Sequence, residues 1–232
     1  LINVMEGVED IPGSALHEGL RWDWETFPEY LDAIDTPHVI DFATQVPHSA
    51  LRAYVMGDRS AETDDASPAE IEQMSKLVEE ALHAGALGFS TSRTTLHRSA
   101  EGVLVAGTNA HRDELFGIGK ALQRAGTGVF ECASEHLSMR EEFTWMTELS
   151  REIGRPVVFN LSQTDQNPTL WKELLELLDG AHAEGVEVYG QVAGRAIGIL
   201  MNWNATAHPF VPRPAFQALL ALQAPMVLPF LP

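Results

Sequence analysis

The sequence lacks long apolar runs, basic clusters and cysteine pairs, and each absence excludes a class of protein. No apolar run approaches the roughly 20 residues that a membrane-spanning helix needs. Only 15 Lys and Arg stand against 33 Asp and Glu, a net charge of −18, which argues against nucleic acid and anionic membranes as partners. The single cysteine, Cys132, excludes an internal disulfide and a cysteine-built zinc site, and favours a cytoplasmic protein.

The length and the two ends of the chain bear on its domain organisation. At 232 residues and 45% hydrophobic residues, one large domain with a real core is expected. The first residues are already apolar and carry no signal peptide, and the last ones are apolar and rich in proline. We therefore expect an internal fragment of a longer protein, inactive alone, with an excursion over residues 1–37 and a central barrel section over 38–232.

A repeated order of helix, glycine and short apolar strand predicts the fold. Ser67-Pro68-Ala69-Glu70 is a capping box that begins a helix up to Ala84, and residues 86–90 read as a buried strand. The same order predicts strands at 128–132, 156–160 and 186–190, and residues 42–54 supply an earlier one. Five parallel strands with four intervening helices indicate an α/β fold, a partial TIM (β/α)8 barrel, since a complete barrel has eight strands in about 250 residues.

No glycine-rich phosphate loop is present in the sequence. Gly117 and Gly119 lack the strand-to-helix placement that such a loop needs, and they predict close packing within a helix instead.

Polar residues follow each predicted strand, where parallel sheets bind their ligands. The first residues of a loop are often polar in any protein, so one polar segment after one strand has an ordinary explanation. Five such segments, called here the polar tails, would meet at one rim of the barrel. Together they favour a concave polar site, and such a site favours an enzyme. The tails contain His48, Ser90, Ser92, Arg93, Cys132, Glu135, His136, Gln163, Asp165, Gln191 and Arg195.

Three motifs carry a resemblance to a known family. They are the segment from Met5 to Gly13, the segment from Val46 to Arg52 that runs into Val55-Met56-Gly57, and the segment from Gly85 to Thr91. Together they resemble the D-aminoacylases, the N-acyl-D-amino-acid deacylases of the amidohydrolase superfamily. The resemblance implies a TIM barrel that uses zinc to hydrolyse the amide of a small N-acylated D-amino acid.

The resemblance and the strand-end rule together assign candidate site residues. His48 is the first candidate for catalysis because it ends a strand inside a matching motif, and Asp165 is either an acid/base or the cap of the next helix. Arg52 and Arg93 are candidates to hold the substrate carboxylate, with surface ion pairs as their alternative. Further substrate-binding candidates are Ser90, Ser92, Gln163, Gln191 and Arg195.

The sequence departs from the family at the metal-binding strand ends. The end of the fifth barrel strand contains Cys132 and Glu135, and His136 follows a few residues later than the family's histidine. The end of the sixth barrel strand, from Asn160 onward, contains no histidine. Those three residues are candidates for one displaced ligand, although Cys132 also reads as a buried hydrophobe and His136 as a loop residue. Zinc is expected mainly on residues outside this chain, with at most one ion per full-length molecule.

Two other functions compete with an amide hydrolase. A non-catalytic barrel that binds ligands at its rim is supported by the missing sixth-strand histidine. A Schiff-base lyase would need a lysine at a strand end, and no strand end carries one.

Overall fold

The computed structural model describes residues 2–9, 11–164, 166–196, 198, 208–211 and 213–221. Three helices precede the first strand, and each later strand is preceded by at least one helix. In chain order the elements are α1 (Ile2–Glu9), α2 (Gly13–Gly19), α3 (Phe27–Ile34), β1 (Val46–Pro47), α4 (His48–Met56), α5 (Arg59–Glu62), α6 (Pro68–Ala84), β2 (Gly88–Ser92), α7 (Arg112–Ala125), β3 (Val129–Ala133), a 3-10 turn (His136–Ser138), α8 (Met139–Ile153), β4 (Val157–Asn160), α9 (Leu170–Ala183), β5 (Val188–Gln191) and α10 (Pro214–Ala221).

The five strands form one parallel sheet in the order β1-β2-β3-β4-β5. Each strand therefore lies beside the strand that precedes it in the chain. A doubly wound sheet reverses its strand order at a switch point, whereas a (β/α) barrel keeps this sequential order. The predicted fold class, a partial barrel of about five parallel strands, is confirmed.

Helix α6 begins as the capping box predicts. The Ser67 hydroxyl accepts a hydrogen bond from the Glu70 backbone N–H at 3.3 Å, and the Glu70 carboxylate accepts one from the Ser67 N–H at 2.7 Å. Pro68 occupies the first helical position, where its missing N–H leaves no partner unsatisfied. Gly85, with φ of 120°, ends the helix and turns the chain toward β2.

The prediction of a strand over residues 42–54 is wrong for most of that range. Only Val46 and Pro47 pair with β2, and the chain continues directly into α4. The buried residues of α4 are His48, Leu51, Arg52 and Met56, which is helical spacing. Two of those four residues, His48 and Arg52, are polar. Their buried partners lie elsewhere in the chain, so the sequence pattern alone does not indicate an amphipathic helix here.

The core lies between the sheet and the helices that cover one of its faces. Phe89, Phe130 and Phe159 are fully buried at neighbouring strand positions, and the rings of Phe89 and Phe130 lie 5.1 Å apart. Their side chains define the helix-facing side of β2, β3 and β4. The opposite side of the sheet, called here the inner face, carries polar residues.

Two glycines of α7 allow neighbouring helices to approach closely. A Cβ atom on Gly117 would lie 2.3 Å from Cγ2 of Ile71 in α6, and one on Gly119 would lie 2.8 Å from Cδ1 of Leu149 in α8. The prediction that these glycines serve helix packing is confirmed.

In the part of the chain that the structure describes, no helix is both long enough and apolar enough to cross a membrane.

Candidate active site

Strand alternation places several polar side chains on the inner face. In β2, Phe89 packs in the core and Thr91 contacts the helix side, so Ser90 and Ser92 face the other way. Glu131 of β3 is the register partner of Ser90 and shares its face. These three side chains are partly buried. Ser92 ends β2, whereas Ser90 and Glu131 lie in the middle of their strands.

The same rule extends the site across β4 and β5. Asn160 follows the buried Phe159, and it is in register with Gln191 at the end of β5. Gln45, just before β1, reaches across β2 and donates from Nε2 to Oε2 of Glu131 at 2.6 Å. We name this group the inner-face cluster: Gln45, Ser90, Ser92, Glu131, Asn160 and Gln191.

The pair of Gln45 and Glu131 is incompletely satisfied. Oε1 of Gln45 is buried and has no hydrogen-bond partner among the described residues. A buried amide oxygen without a donor costs about 1–3 kcal/mol, and a ligand or water that donates to it removes that cost. The arrangement is therefore ready to accept a hydrogen bond from a bound molecule.

His97 joins the rim of the site from the long connection between β2 and α7. Its Nδ1 lies 2.7 Å from the Ser92 hydroxyl. Burial lowers the pKa of His97, and the nearby Glu9 carboxylate only partly opposes that effect, so the ring is neutral at pH 7. The N–H and hydroxyl of Thr95 both donate to Glu135 at 2.9 Å, which ties this connection to the loop after β3.

His136 contacts the cluster from the loop after β3. The Asn160 amide nitrogen lies 3.0 Å from Nε2 of His136, and the Asn160 amide oxygen accepts the Ser134 backbone N–H at 2.7 Å. Asn160 therefore connects the ends of β3 and β4 through one side chain.

His48 lies on the opposite side of the sheet from the inner-face cluster. Its ring is 2% exposed, with Nδ1 at 2.8 Å from the Thr91 hydroxyl and Nε2 at 2.7 Å from Oε1 of Glu114. This position contradicts the prediction of a catalytic His48. Val46 is in register with the core residue Phe89, so Pro47 takes the inner face and His48 returns to the helix side.

Arg52 belongs to the same buried network behind the sheet. It is fully buried, donates to Oε2 of Glu114 at 2.5 Å and donates to the carbonyl of Thr63 at 2.7 Å. With both His48 and Arg52 committed to Glu114, we place neither in the candidate active site.

The charges in this network support a neutral His48. Burial lowers the pKa of His48 despite the hydrogen bond to Glu114 and its negative charge, and the positive charge of Arg52 adds to that effect. Burial raises the pKa of Glu114, but His48 and Arg52 outweigh it and the net pKa is lowered. Neutral His48 therefore donates from Nε2 to an ionised Glu114 that Arg52 already neutralises.

The remaining substrate-binding candidates lie outside the cluster. Arg93 directs its guanidinium toward the helices, 3.4 Å from Glu142 and 2.9 Å from the Ala110 carbonyl. Gln163 and Arg195 are exposed in the segments after β4 and β5, and their binding roles stay predictions. Asp165 lies outside the described residues.

The three candidate metal ligands are engaged in other ways. Cys132 is on the helix side of β3, 1% exposed, and burial raises the pKa of its thiol to about 12, so it stays protonated. The Glu135 oxygens accept from Thr95 and Leu137, and these bonds outweigh burial and lower its pKa. No three His, Cys, Asp or Glu residues of the described chain are grouped to hold a metal. These residues do not fit a zinc site.

Sequence reasoning did not single out Glu131, Gln45, Asn160 or His97. The sequence does contain a signal for Glu131. A charged residue within an otherwise apolar strand, here between Phe130 and Cys132, indicates that one face of that strand is polar. His97 had no such signal, because only the path of its loop brings it to Ser92.

Sequential parallel strands with polar side chains at their carboxyl ends define a barrel protein with a rim site. The profile of the amidohydrolase family matches residues 1–225. The chain therefore belongs to the amidohydrolase family.

Relatives and solved structures agree with this membership. A D-aminoacylase of Alcaligenes xylosoxydans xylosoxydans is 31% identical over 194 residues, 79% of this chain and 37% of the relative. An uncharacterized protein of Mycobacterium tuberculosis is 40% identical over 88 residues, 36% of this chain and 14% of that protein.

Two D-aminoacylase structures also superpose on the chain. A mutant in complex with copper chloride has a TM-score of 0.62, and another D-aminoacylase structure has 0.60. Each is 26% identical and covers 75% of this chain and 35% of the other. The chain thus spans a little over a third of the D-aminoacylases that it matches.

Proposed function

We propose that the protein hydrolyses the linear amide bond of N-acyl amino acids, with preference for the D series. The inner-face cluster carries this proposal, because it gathers one carboxylate, two hydroxyls and three amides on one face of the sheet of an amidohydrolase chain. Such a set can bind a small polar amide and activate water against it.

Glu131 is the proposed general base. Gln45 donates to one of its carboxylate oxygens at 2.6 Å, and this bond restrains the carboxylate. In the proposed step, Glu131 accepts a proton from water, and the water oxygen attacks the acyl carbon. The C–N bond then breaks, and the proton passes to the leaving nitrogen, so a carboxylic acid and an amine form from the amide and water.

Substrate contacts are proposed for the remaining members of the cluster. The hydroxyls of Ser90 and Ser92 and the amide of Gln191 offer hydrogen bonds to the acyl oxygen and the amide N–H. Arg195, exposed just beyond β5, is proposed to pair with the substrate carboxylate, a group that suits the planar guanidinium fork.

Zinc, which the resemblance implies, would be held mainly by residues outside the described ones, since no three His, Cys, Asp or Glu of the described residues are grouped to hold a metal. It would polarise the acyl carbonyl when bound.

The experiment is hydrolysis of N-acetyl-D-leucine and its L enantiomer by the purified natural protein and by two variants. Glu131→Gln keeps the shape and the hydrogen bond to Gln45 but removes the base, so kcat/KM should fall by about 100-fold or more. Glu141→Gln, on the exposed face of α8, is the matched control and should leave kcat/KM unchanged. Equal activity of Glu131→Gln and wild type would remove Glu131 from the reaction, and hydrolysis of neither enantiomer would refute the proposed activity.

The second candidate function is a non-catalytic site that binds N-acyl amino acids at the barrel rim. The hydrogen bonds that already engage Glu135 and His136 favour it, because they leave no metal-ligand group in the described chain. Calorimetric binding of N-acetyl-D-leucine without turnover by metal-supplemented protein would establish this function in place of hydrolysis.

A further inference from the structure

A chain of hydrogen bonds determines how the Asn160 amide is oriented. The backbone N–H of Ser134 can only donate, and it lies 2.7 Å from Oδ1 of Asn160. The amide nitrogen of Asn160 must therefore point the other way, toward the imidazole of His136 at 3.0 Å. The orientation follows from the backbone between β3 and the 3-10 turn.

The oriented amide determines the tautomer of His136. Nδ2 of Asn160 carries only hydrogens, so Nε2 of His136 must accept with its lone pair. In the neutral ring the single proton is then on Nδ1. Nδ1 has no hydrogen-bond partner among the described residues, so its N–H is available to a ligand.

This tautomer decides what His136 can bind. A metal needs a free ring lone pair, but the Nε2 lone pair is used by Asn160 and Nδ1 carries the proton. Nδ1 can instead donate a hydrogen bond to an oxygen. His136 thus offers an N–H donor at Nδ1, the opposite of the metal-ligand role expected for this strand end.

His136 adjoins the candidate site through Asn160. Its partner Asn160 is the last residue of β4 and belongs to the inner-face cluster, and the ring is itself partly exposed. Glu135, held by Thr95 and Leu137, anchors the backbone immediately before it.

We propose that His136 binds an oxygen atom of the substrate through Nδ1–H, in a tautomer that Asn160 sets and Ser134 anchors. The substrate oxygen belongs to the N-acyl amino acid of the proposed function, on which this inference rests. Asn160 is the positioning residue, since it acts through His136.

The first test measures the tautomer itself. In natural protein labelled with ¹⁵N-histidine, imidazole NMR should show a proton on Nδ1 of His136 and none on Nε2, with the signal assigned by its loss in a His136→Asn variant. Asn160→Asp places an acceptor opposite Nε2 and should move the proton to Nε2. A wild-type ring protonated at Nε2 would overturn the inference whether or not the protein is an enzyme.

The second test measures the donor with matched variants. In His136→Asn the amide nitrogen can occupy about the position of Nδ1, whereas in His136→Gln it reaches about the position of Nε2 and leaves the Nδ1 position empty. We expect His136→Gln to bind N-acetyl-D-leucine about 10-fold more weakly than wild type, and His136→Asn to lose much less. His111→Gln, at an exposed ion pair with Asp65, should bind like wild type.

The outcomes separate this inference from the proposed function. If wild type binds and hydrolyses N-acetyl-D-leucine while His136→Gln matches it, the donor role of His136 is refuted and the proposed function stands. If wild type neither binds nor hydrolyses any N-acyl amino acid, the proposed function fails and takes the substrate contact with it, while the tautomer is still decided by NMR.

Discussion

At the scale of single residues, the most constrained group is the network of His48, Thr91, Glu114 and Arg52 behind the sheet. Its members are between 0% and 4% exposed. Gly107 packs against the His48 ring, because a Cβ atom on Gly107 would lie 2.6 Å from Nδ1 of His48. No other residue fits at position 107 without moving the ring. The network therefore joins α4, β2, α7 and the connection between β2 and α7. A buried ion pair with all these partners organises structure more than it adds stability.

The network predicts a pH dependence of stability. Burial holds the pKa of His48 below its ordinary value of 6.5, so below about pH 6.5 the unfolded chain binds a proton that the folded chain does not. Stability contributed by neutral His48 is present at higher pH and is lost as the pH falls. The loss should reach up to about 1.4 kcal/mol per pH unit.

Thermal unfolding of wild type and His48→Gln between about pH 7.5 and pH 5.5 measures this effect. Glutamine can still donate to Glu114 but cannot take up the proton. The Tm of wild type should fall more steeply toward low pH than that of His48→Gln, and parallel curves would show that His48 does not titrate on unfolding.

At the scale of elements, sequence patterns predicted the helices better than the strand ends. The capping box predicted where α6 begins, and the repeated order of helix, glycine and strand predicted a helix before each of β2 to β5, because both signals depend on residues close in the chain. Four of the five predicted strands began one or two residues early, and the first began four residues early, since strand limits depend on pairing with neighbours. Helix α4 was missed because half of its buried face is polar.

Two glycines in helices, Gly117 in α7 and Gly180 in α9, are expected to respond in opposite ways to substitution by alanine. Gly117→Ala brings a Cβ within 2.3 Å of Ile71, and this overpacking should cost about 1–3 kcal/mol, more than the gain in helix propensity of about 0.5–1 kcal/mol. In Gly180→Ala of α9 the new Cβ meets nothing within 4 Å, so the same change should stabilise. Urea denaturation of the two variants checks the signs, and equal midpoints would contradict the packing argument.

At the scale of the whole molecule, the metal content is the sharpest question. The three candidate ligands of this chain are used as a buried thiol, a loop anchor and a hydrogen-bond acceptor, so a zinc pair across the β3 and β4 ends has no ligands there. We expect at most one tightly bound zinc per molecule of natural protein by elemental analysis. Cys132→Ala and His136→Asn should retain the same amount; two zincs per molecule, or loss of zinc in either variant, would refute this.

For the candidate site, reasoning from the sequence located the rim and three of the six members of the inner-face cluster. The rule that ligands bind at strand ends selected Ser90, Ser92 and Gln191, and alternation places all three on the inner face. The same rule selected His48, which the register turns to the other side of the sheet. A shift of one residue reverses the face of every side chain, and sequence patterns do not locate strands to one residue.

The local order of the chain therefore determined the class of fold, the helix caps and the family resemblance, because each depends on neighbouring residues. Tertiary structure alone decided that Gln45 meets Glu131 across β2, that His97 returns to Ser92, and that Ser134 orients Asn160 toward His136. These contacts join residues on different strands and loops. Their hydrogen bonds form only when register and loop path bring the atoms within about 3 Å, and neither is encoded by any short segment.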